Sequence, residues 1–264
     1  MEVAGFLASI LIGISLGLIG GGGSILTVPV LVYLFKIDAV LATTYSLFVV
    51  GVSSFLGSYN YFKNKLIDFK TVMAFGLPSI IGVLVSRKYI LPEIPENIFQ
   101  IAGLEITKNL FLMLVFAILM LMAAFKMIKK ETKTCKTTEV SYNYPLVIFQ
   151  GFFLGIITGF LGAGGGFLII PALVGLLKTP MKIAIGTSLL IIAINSAFGF
   201  LTSYEHFGEI NWIFLMMISG LAVLGILIGS RLSKNIDAKK LKTAFGYFVL
   251  AIGIFVLVKE MFLQ

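Results

Sequence analysis

Charged residues divide this chain into long apolar blocks. Uncharged runs cover 3–35, 39–62, 71–86, 109–125, 140–177, 183–204, 210–230 and 243–258. A membrane-crossing helix needs about 17–25 mostly apolar residues, and nearly every run reaches or approaches that length. Only 12% of the residues are charged, against about 25% in a soluble domain, so too few remain to build a wet surface. With 59% hydrophobic residues and a mean hydropathy of +1.07, the pattern predicts an all-α polytopic membrane protein.

The blocks repeat. Gly13, Gly17, Gly20, Gly22, Gly23 and Pro29 recur as Gly155, Gly159, Gly162, Gly164, Gly165 and Pro171, at a constant offset of 142 residues. The same offset pairs Lys36 with Lys178, Ala42 with Ala184, Ser46 with Ser188 and Gly57 with Gly199. One inserted residue later, Ile67-Asp68-Phe69 aligns with Ile210-Asn211-Trp212, and Gly82 with Gly225. Such self-similarity marks a duplicated architecture. It predicts a first membrane repeat over 1–128, a polar linker over 129–143 and a second repeat over 144–264.

Each repeat opens on an unusually long uncharged run, of 33 and 38 residues. A straight helix of 33 residues would span about 50 Å, against a hydrocarbon core of about 30 Å. Glycines interrupt both runs, at 20–23 and 162–166. Each run therefore reads as two arms, 3–19 with 24–35 and 144–161 with 167–177, followed by three transmembrane helices. Charge bias supports a returning hairpin. With ten membrane segments, one side holds 15 basic residues, in 63–70, 126–136, 178–182 and 231–242, and the other holds five. The basic side is expected to face the cytoplasm, carrying the linker and its lone cysteine, Cys135, while both termini lie outside. The start Met1-Glu2-Val3-Ala4 lacks the basic region of a cleaved signal peptide, so the first run is expected to be retained. Each half then has an odd number of full crossings, and the two repeats lie inverted. Equivalent loops differ in charge accordingly: 63–70 is net +2 and 205–209 net −2, while 87–108 is neutral and 231–242 net +4.

Candidate chemistry centres on the glycine clusters. Non-helical backbone inside a membrane is tolerated only where it is buried in protein or lines a wet cavity. The helices that follow the clusters would turn free N–H groups and positive dipole ends inward, and inverted symmetry brings both towards one centre. That makes an anion site without a charged side chain, built from Gly20, Gly21, Gly22, Gly23 and Ser24 in one half and Gly162, Gly164, Gly165 and Gly166 in the other. Thr27, Thr44, Ser46, Thr187, Ser188 and Asn195 could complete it, or could cap and bridge helices instead. The spaced pairs Gly13/Gly17, Gly155/Gly159 and Gly225/Gly229 read as helix-packing seams. No Asp, Glu, Lys or Arg is expected at mid-span, where ionisable groups mark relays and coupling sites. No ligand cluster suggests a metal or cofactor. The net charge of +8 follows from cytoplasmic loops, without the aromatic interleaving that nucleic acid would need. Ser24 with His206 is the one nucleophile–base pair on offer. Nothing orients that histidine, and the partner of Ser24 in the repeat is Gly166, so an enzyme is not expected.

The chain resembles the TauE/SafE sulfite exporter family, also called the toluene-sulfonate uptake permeases. The resemblance rests on Gly17-Leu18-Ile19-Gly20-Gly21-Gly22-Gly23 running to Pro29, and Gly159-Phe160-Leu161-Gly162-Ala163-Gly164-Gly165-Gly166 running to Pro171. Ala184-Ile185-Gly186-Thr187-Ser188-Leu189 and Gly208-Glu209-Ile210-Asn211-Trp212 carry it further. The first half departs from the pattern at Thr44 and Tyr45, which stand where the second has Gly186 and Thr187. The resemblance implies transport of small sulfur-containing or organic anions such as sulfite or sulfonates. A secondary transporter running as an exporter is expected, with an anion channel of the same fold or a non-transporting scaffold as alternatives. The expected partners are the anionic substrate and the lipid bilayer, and a homo-oligomer is compatible with the sequence.

Overall fold

The computed structural model describes residues 2–21, 23–101, 104–128, 144–177, 179–232 and 238–262. The linker 129–143, with Cys135, and Gly22 lie outside the described residues, as does the side chain of His206. Helices α1 (Glu2–Ile19), α2 (Ser24–Tyr33) and α3 (Ala39–Lys63) are followed by α4 (Phe69–Glu93) and α5 (Lys108–Ile128). The second half supplies α6 (Tyr144–Leu161), α7 (Gly166–Leu176), α8 (Met181–Leu201), α9 (Trp212–Leu232) and α10 (Ala238–Phe262). Each half thus contains a glycine-broken pair of arms and three longer helices. Six of the described helices are long and apolar enough to cross a membrane: α3, α4, α6, α8, α9 and the Lys108–Phe125 part of α5. The protein is an all-α polytopic membrane protein.

Local chemistry starts the long helices where the repeat predicts. Asp38 accepts hydrogen bonds from the amides of Val40 and Leu41 at the head of α3. At α4 the Asp68 carboxylate accepts from the Lys70 amide and the Thr71 hydroxyl, and at α9 Asn211 Oδ1 accepts from the Phe214 amide. Asp68 and Asn211 are repeat partners, so one N-cap is made twice, each satisfying amides that a helix start leaves open. Between α4 and α5 lies a feature unforeseen in the sequence, a short antiparallel hairpin of β1 (Asn97–Ile101) and β2 (Leu104–Thr107). Its strands are too short for their alternation to stand out from a loop.

Both broken pairs return to the side they came from. At the start of α1, Gly5 lies against the ring of Phe35, just past the end of α2. Val147, early in α6, shares a core with Leu173 and Leu177 at the far end of α7. The returning arms have 10 and 11 residues, about 15–17 Å at 1.5 Å per residue. They start inside the molecule and reach one face only.

The two halves are built into each other. Gly13 faces Ala222 and Gly225, and Gly17 faces Ile226 and Gly229, so α1 runs parallel to α9 of the other half. The exchange is matched: Gly151 faces Phe75, Gly155 faces Ser79 and Gly159 faces Val83, so α6 runs parallel to α4. These spaced glycines are packing seams. At the centre α3 and α8 run antiparallel, with Leu47 against Gly199, Gly51 against Ser196 and Tyr61 against Gly186. They are the most buried spans, with 67% of each hydrophobic window inside the protein. On α4, α6 and α9 large apolar side chains such as Met73, Phe149, Phe153 and Ile213 remain exposed, as a lipid-facing surface requires.

A side chain at Gly155 would drive into the Ser79 carbonyl, whereas one at Gly220 would meet nothing within 4 Å. Overpacking typically costs about 1–3 kcal/mol. Gly155→Ala is therefore expected to lower the unfolding temperature in detergent clearly, and Gly220→Ala to leave it unchanged, as read by a thermal-shift assay.

Candidate functional site

Two glycine turns meet in the middle of the protein. At the end of α1, Gly20 takes φ +73°, and its repeat partner Gly162, at the end of α6, takes φ +64°. These are left-handed conformations that favour glycine. Each turn is seated on the other half by the same exchange: Gly20 against Ile185 of α8, and Gly162 against Thr43 of α3, which are also repeat partners. The turns then run inward until Gly21 packs directly on Gly166, backbone on backbone, where neither position has room for a Cβ. From there α2 begins after Gly23 and α7 after Gly165. The sequence-level expectation that both breaks converge describes this arrangement. The centre is closed, with the turns packed tightly against each other.

Polar groups surround that contact. Ser24 donates to the Gly21 carbonyl at 2.7 Å, and Ser188 reaches across from α8 to the Gly20 carbonyl at 2.9 Å. Gly164 lies against Ser196, Ile192 and Val50. Asn195 donates to Ser79 at 2.6 Å, while its Oδ1 is buried without a partner. The hydroxyls of Thr27 and Ser46 are likewise buried and unpartnered among the described residues, as are those of Ser53, Ser54 and Ser196. Unmet buried hydroxyls carry a desolvation penalty of about 1–3 kcal/mol each, so their gathering in α2, α3 and α8 is notable. Sequence reading missed Ser53, Ser54 and Ser196. The signal was present, because the 142-residue offset pairs Ser54 with Ser196 and Ser53 with Asn195.

Thr44 and Thr187 lie apart from the glycine contact. Thr187 accepts a hydrogen bond from the Asp68 amide at 2.9 Å, and the Tyr45 hydroxyl accepts from the Asn211 amide at 2.6 Å. Tyr45 and Thr187 are repeat partners, as are Asp68 and Asn211, so the same latch is made once by a threonine and once by a tyrosine. The departure at Tyr45 thus has a structural cause. Thr44 has another: it accepts from the guanidinium of Arg87.

Arg87 is a buried charge where a loop was expected, near the end of α4 and not at mid-span. Its segment read as a loop from position 87 onward, but α4 continues to Glu93, and Arg87 is 4% exposed inside it. Three neutral acceptors hold it: the Gly159 carbonyl at 2.9 Å, Ser203 at 3.0 Å and Thr44 at 3.4 Å. Residue type alone could not show this, since all three acceptors come from other helices.

The family model for the sulfite exporter TauE/SafE matches residues 5–256. The chain belongs to the TauE/SafE family. Among curated relatives, a probable membrane transporter protein of Xylella fastidiosa (strain Temecula1) is 29% identical, covering 94% of this chain and 91% of its own length. The probable membrane transporter protein YunE of Bacillus subtilis is 28% identical, covering 89% and 90%. A shorter match, 33% identical over 117 residues, joins the chain to the probable membrane transporter protein MJ0441 of Methanocaldococcus jannaschii. No solved structure matches. This TauE/SafE chain is thus a multi-pass membrane protein from a family of membrane transporters.

Losing the latch acceptors leaves part-buried amides unpaired, at up to about 1–3 kcal/mol each. Tyr45→Phe and Thr187→Val are each expected to lower the unfolding temperature by a similar amount. A thermal-shift comparison in detergent checks whether the two latches weigh alike.

Proposed function

We propose that this TauE/SafE chain is a secondary transporter of small sulfur-containing or organic anions such as sulfite or sulfonates, working as an exporter. The observation that carries the reading is the contact of Gly21 with Gly166, where two broken helices from different halves meet and two short helices begin. Discontinuous helices whose free amide ends point at a midplane site are a recurring way to hold an anionic group. Gly20, Gly21, Gly23 and Ser24, with Gly162, Gly164, Gly165 and Gly166, form this site, and Gly22 belongs to the same turn by sequence. Ser46, Ser188, Asn195 and Thr27 supply hydroxyl and amide groups around it. A site closed at its centre suits a carrier that opens and recloses better than a standing pore.

The repeats are proposed to be inverted in the membrane. Supporting this, the repeat partners α3 and α8 run antiparallel through the centre, and each first arm packs on the other half. An axis lying in the membrane plane produces that pairing. The basic loops then place 129–143 in the cytoplasm and both termini outside. Export follows from energetics: an inside-negative potential drives each negative charge outward by about 2.3 kcal/mol per 100 mV. No coupling carboxylate is required.

Flux in proteoliposomes tests the function, with sulfite, sulfate and methanesulfonate offered to the wild type and to a Gly21→Leu, Gly164→Leu double variant. Saturable anion flux, reduced at least about tenfold in a double variant that still folds, is the expected result. Well-folded wild type that moves none of these anions would sink the assignment. Sidedness has its own test, because Cys135 is the only cysteine. A membrane-impermeant maleimide is expected to label it in inside-out vesicles and to spare it in sealed right-side-out ones. The reverse pattern would invert the topology.

A further inference from the structure

We propose that Arg87 is the anchor of a binding site for small singly charged oxyanions, at the face of the protein where α4 ends. Arg87 helps wall a cavity of about 660 Å³ together with Thr202, Ser203, Lys108, Glu205 and Glu209. The cavity lies among the starts of α3 and α5 and the ends of α4 and α8, all on one side of the molecule.

The case begins with an unbalanced charge. A guanidinium does not give up its proton in proteins, so a buried Arg87 is a buried cation. Buried charges are ordinarily paired, and leaving one unpaired is strongly destabilising. Every hydrogen-bond acceptor that Arg87 has among the described residues is neutral: a carbonyl and two hydroxyls. Its Nη2 is buried and has no acceptor among the described residues. The guanidinium is meanwhile fixed in place, with Nε tied to Gly159 and Nη1 to Ser203 and Thr44. One nitrogen remains open on a rigidly held cation, and an oxyanion would supply both the missing charge and the missing acceptor.

Two independent features agree. Arg87 sits in a π-helical turn, Ser86–Ile90, the second of two in α4 after Val72–Gly76. Such turns are rare and occur frequently at functional sites. Thr44, buried behind the cavity wall, accepts from Arg87 and donates its own hydroxyl proton to no described residue, so its donor is free for an anion that reaches the guanidinium. That of Ser203 is not, because it already donates to the Gly199 carbonyl.

The rim selects among anions. Asp38, Glu96, Glu205 and Glu209 also line the cavity, against Lys108 and Arg87. Coulomb repulsion grows with each charge carried, so one negative charge neutralises Arg87 at the least cost and a second is repelled by the carboxylates. A sulfonate or hydrogen sulfite fits, and sulfate is disfavoured. The site combines residues of both halves and is not duplicated. In the repeat register Arg87 corresponds to Ser230, and Thr44 to Gly186. The departure at Thr44 is therefore part of the site. That the cavity is where an exported anion leaves rests on the transport reading above, whereas binding at Arg87 does not.

Titration calorimetry on the purified protein in detergent, at constant low ionic strength, tests the site with methanesulfonate and sulfate. Wild type is expected to bind methanesulfonate at Arg87 and to prefer it over sulfate. R87Q is expected to weaken methanesulfonate at least about tenfold, the loss of a charged hydrogen bond. T44V keeps the guanidinium and should weaken it severalfold, so it stands in if R87Q does not fold. E205Q, at an exposed rim position, should narrow the preference against sulfate, an effect a merely structural arginine would not produce. Methanesulfonate binding unchanged in R87Q or T44V, absent in the wild type, or weaker than sulfate would overturn the proposal. The flux assay separates this from the transport reading. Binding without flux would sink transport alone, and flux with unaltered binding in R87Q would sink the site alone.

Discussion

Backbone that leaves helical geometry within a membrane has no water to bond with, and each unmet amide or carbonyl costs several kcal/mol there. This chain breaks its helices twice in the interior, so the remainder must satisfy those two turns. The Gly20 amide still bonds to the Leu16 carbonyl, and the Gly162 amide to the Thr158 carbonyl, which closes the ends of α1 and α6. The Ser24 amide and hydroxyl both turn back to the Gly21 carbonyl, and Ser188 reaches the Gly20 carbonyl from α8. What remains is excluded from lipid by packing Gly21 on Gly166.

That packing dictates how the halves associate. Each broken pair covers its own turn only in part, through Gly23 on Ile12 and Ser15 and Gly165 on Thr158. Each turn is seated on the central helix of the opposite half, and each first arm lies in a glycine seam of the opposite half. Helices in lipid gain little from the hydrophobic effect, because acyl chains are as apolar as leucine. Close van der Waals contact between backbones must hold them instead, and glycine permits that contact. The seams α1–α9 and α4–α6 and the crossing of α3 with α8 are therefore parts of one arrangement, and a single bulky residue in any of them would separate helices from different halves.

Polar groups in the interior fall into two kinds. Around the glycine contact they are neutral, and several hydroxyls and one amide oxygen are without partners. At one end of the molecule a buried cation is held by neutral acceptors beside a cavity rimmed with carboxylates. A neutral centre and a charged end differ in what they ask of an anion: the first offers dipoles and hydroxyls, the second a fixed charge. The duplicated scaffold supplies the first, and the positions where the halves diverge supply the second.

Much of this was legible in the chain. The uncharged runs, the 142-residue offset, the breaks at 20–23 and 162–166 and the paired arms with their longer helices follow from composition and spacing, which sequence records directly. The helix caps at Asp68 and Asn211 are local in the same sense. Other features came only from the fold. Arg87 looked like the first residue of a loop, and its burial depends on acceptors 43, 72 and 116 residues away. Tyr45 looked like a break in the symmetry, and its role depends on an amide 166 residues away. Sequence by itself determined which segments are apolar enough for a membrane and where they break, because lipid and backbone geometry act on each segment alone. Tertiary structure decided which polar groups are paired and which are left open, because that depends on which helices meet.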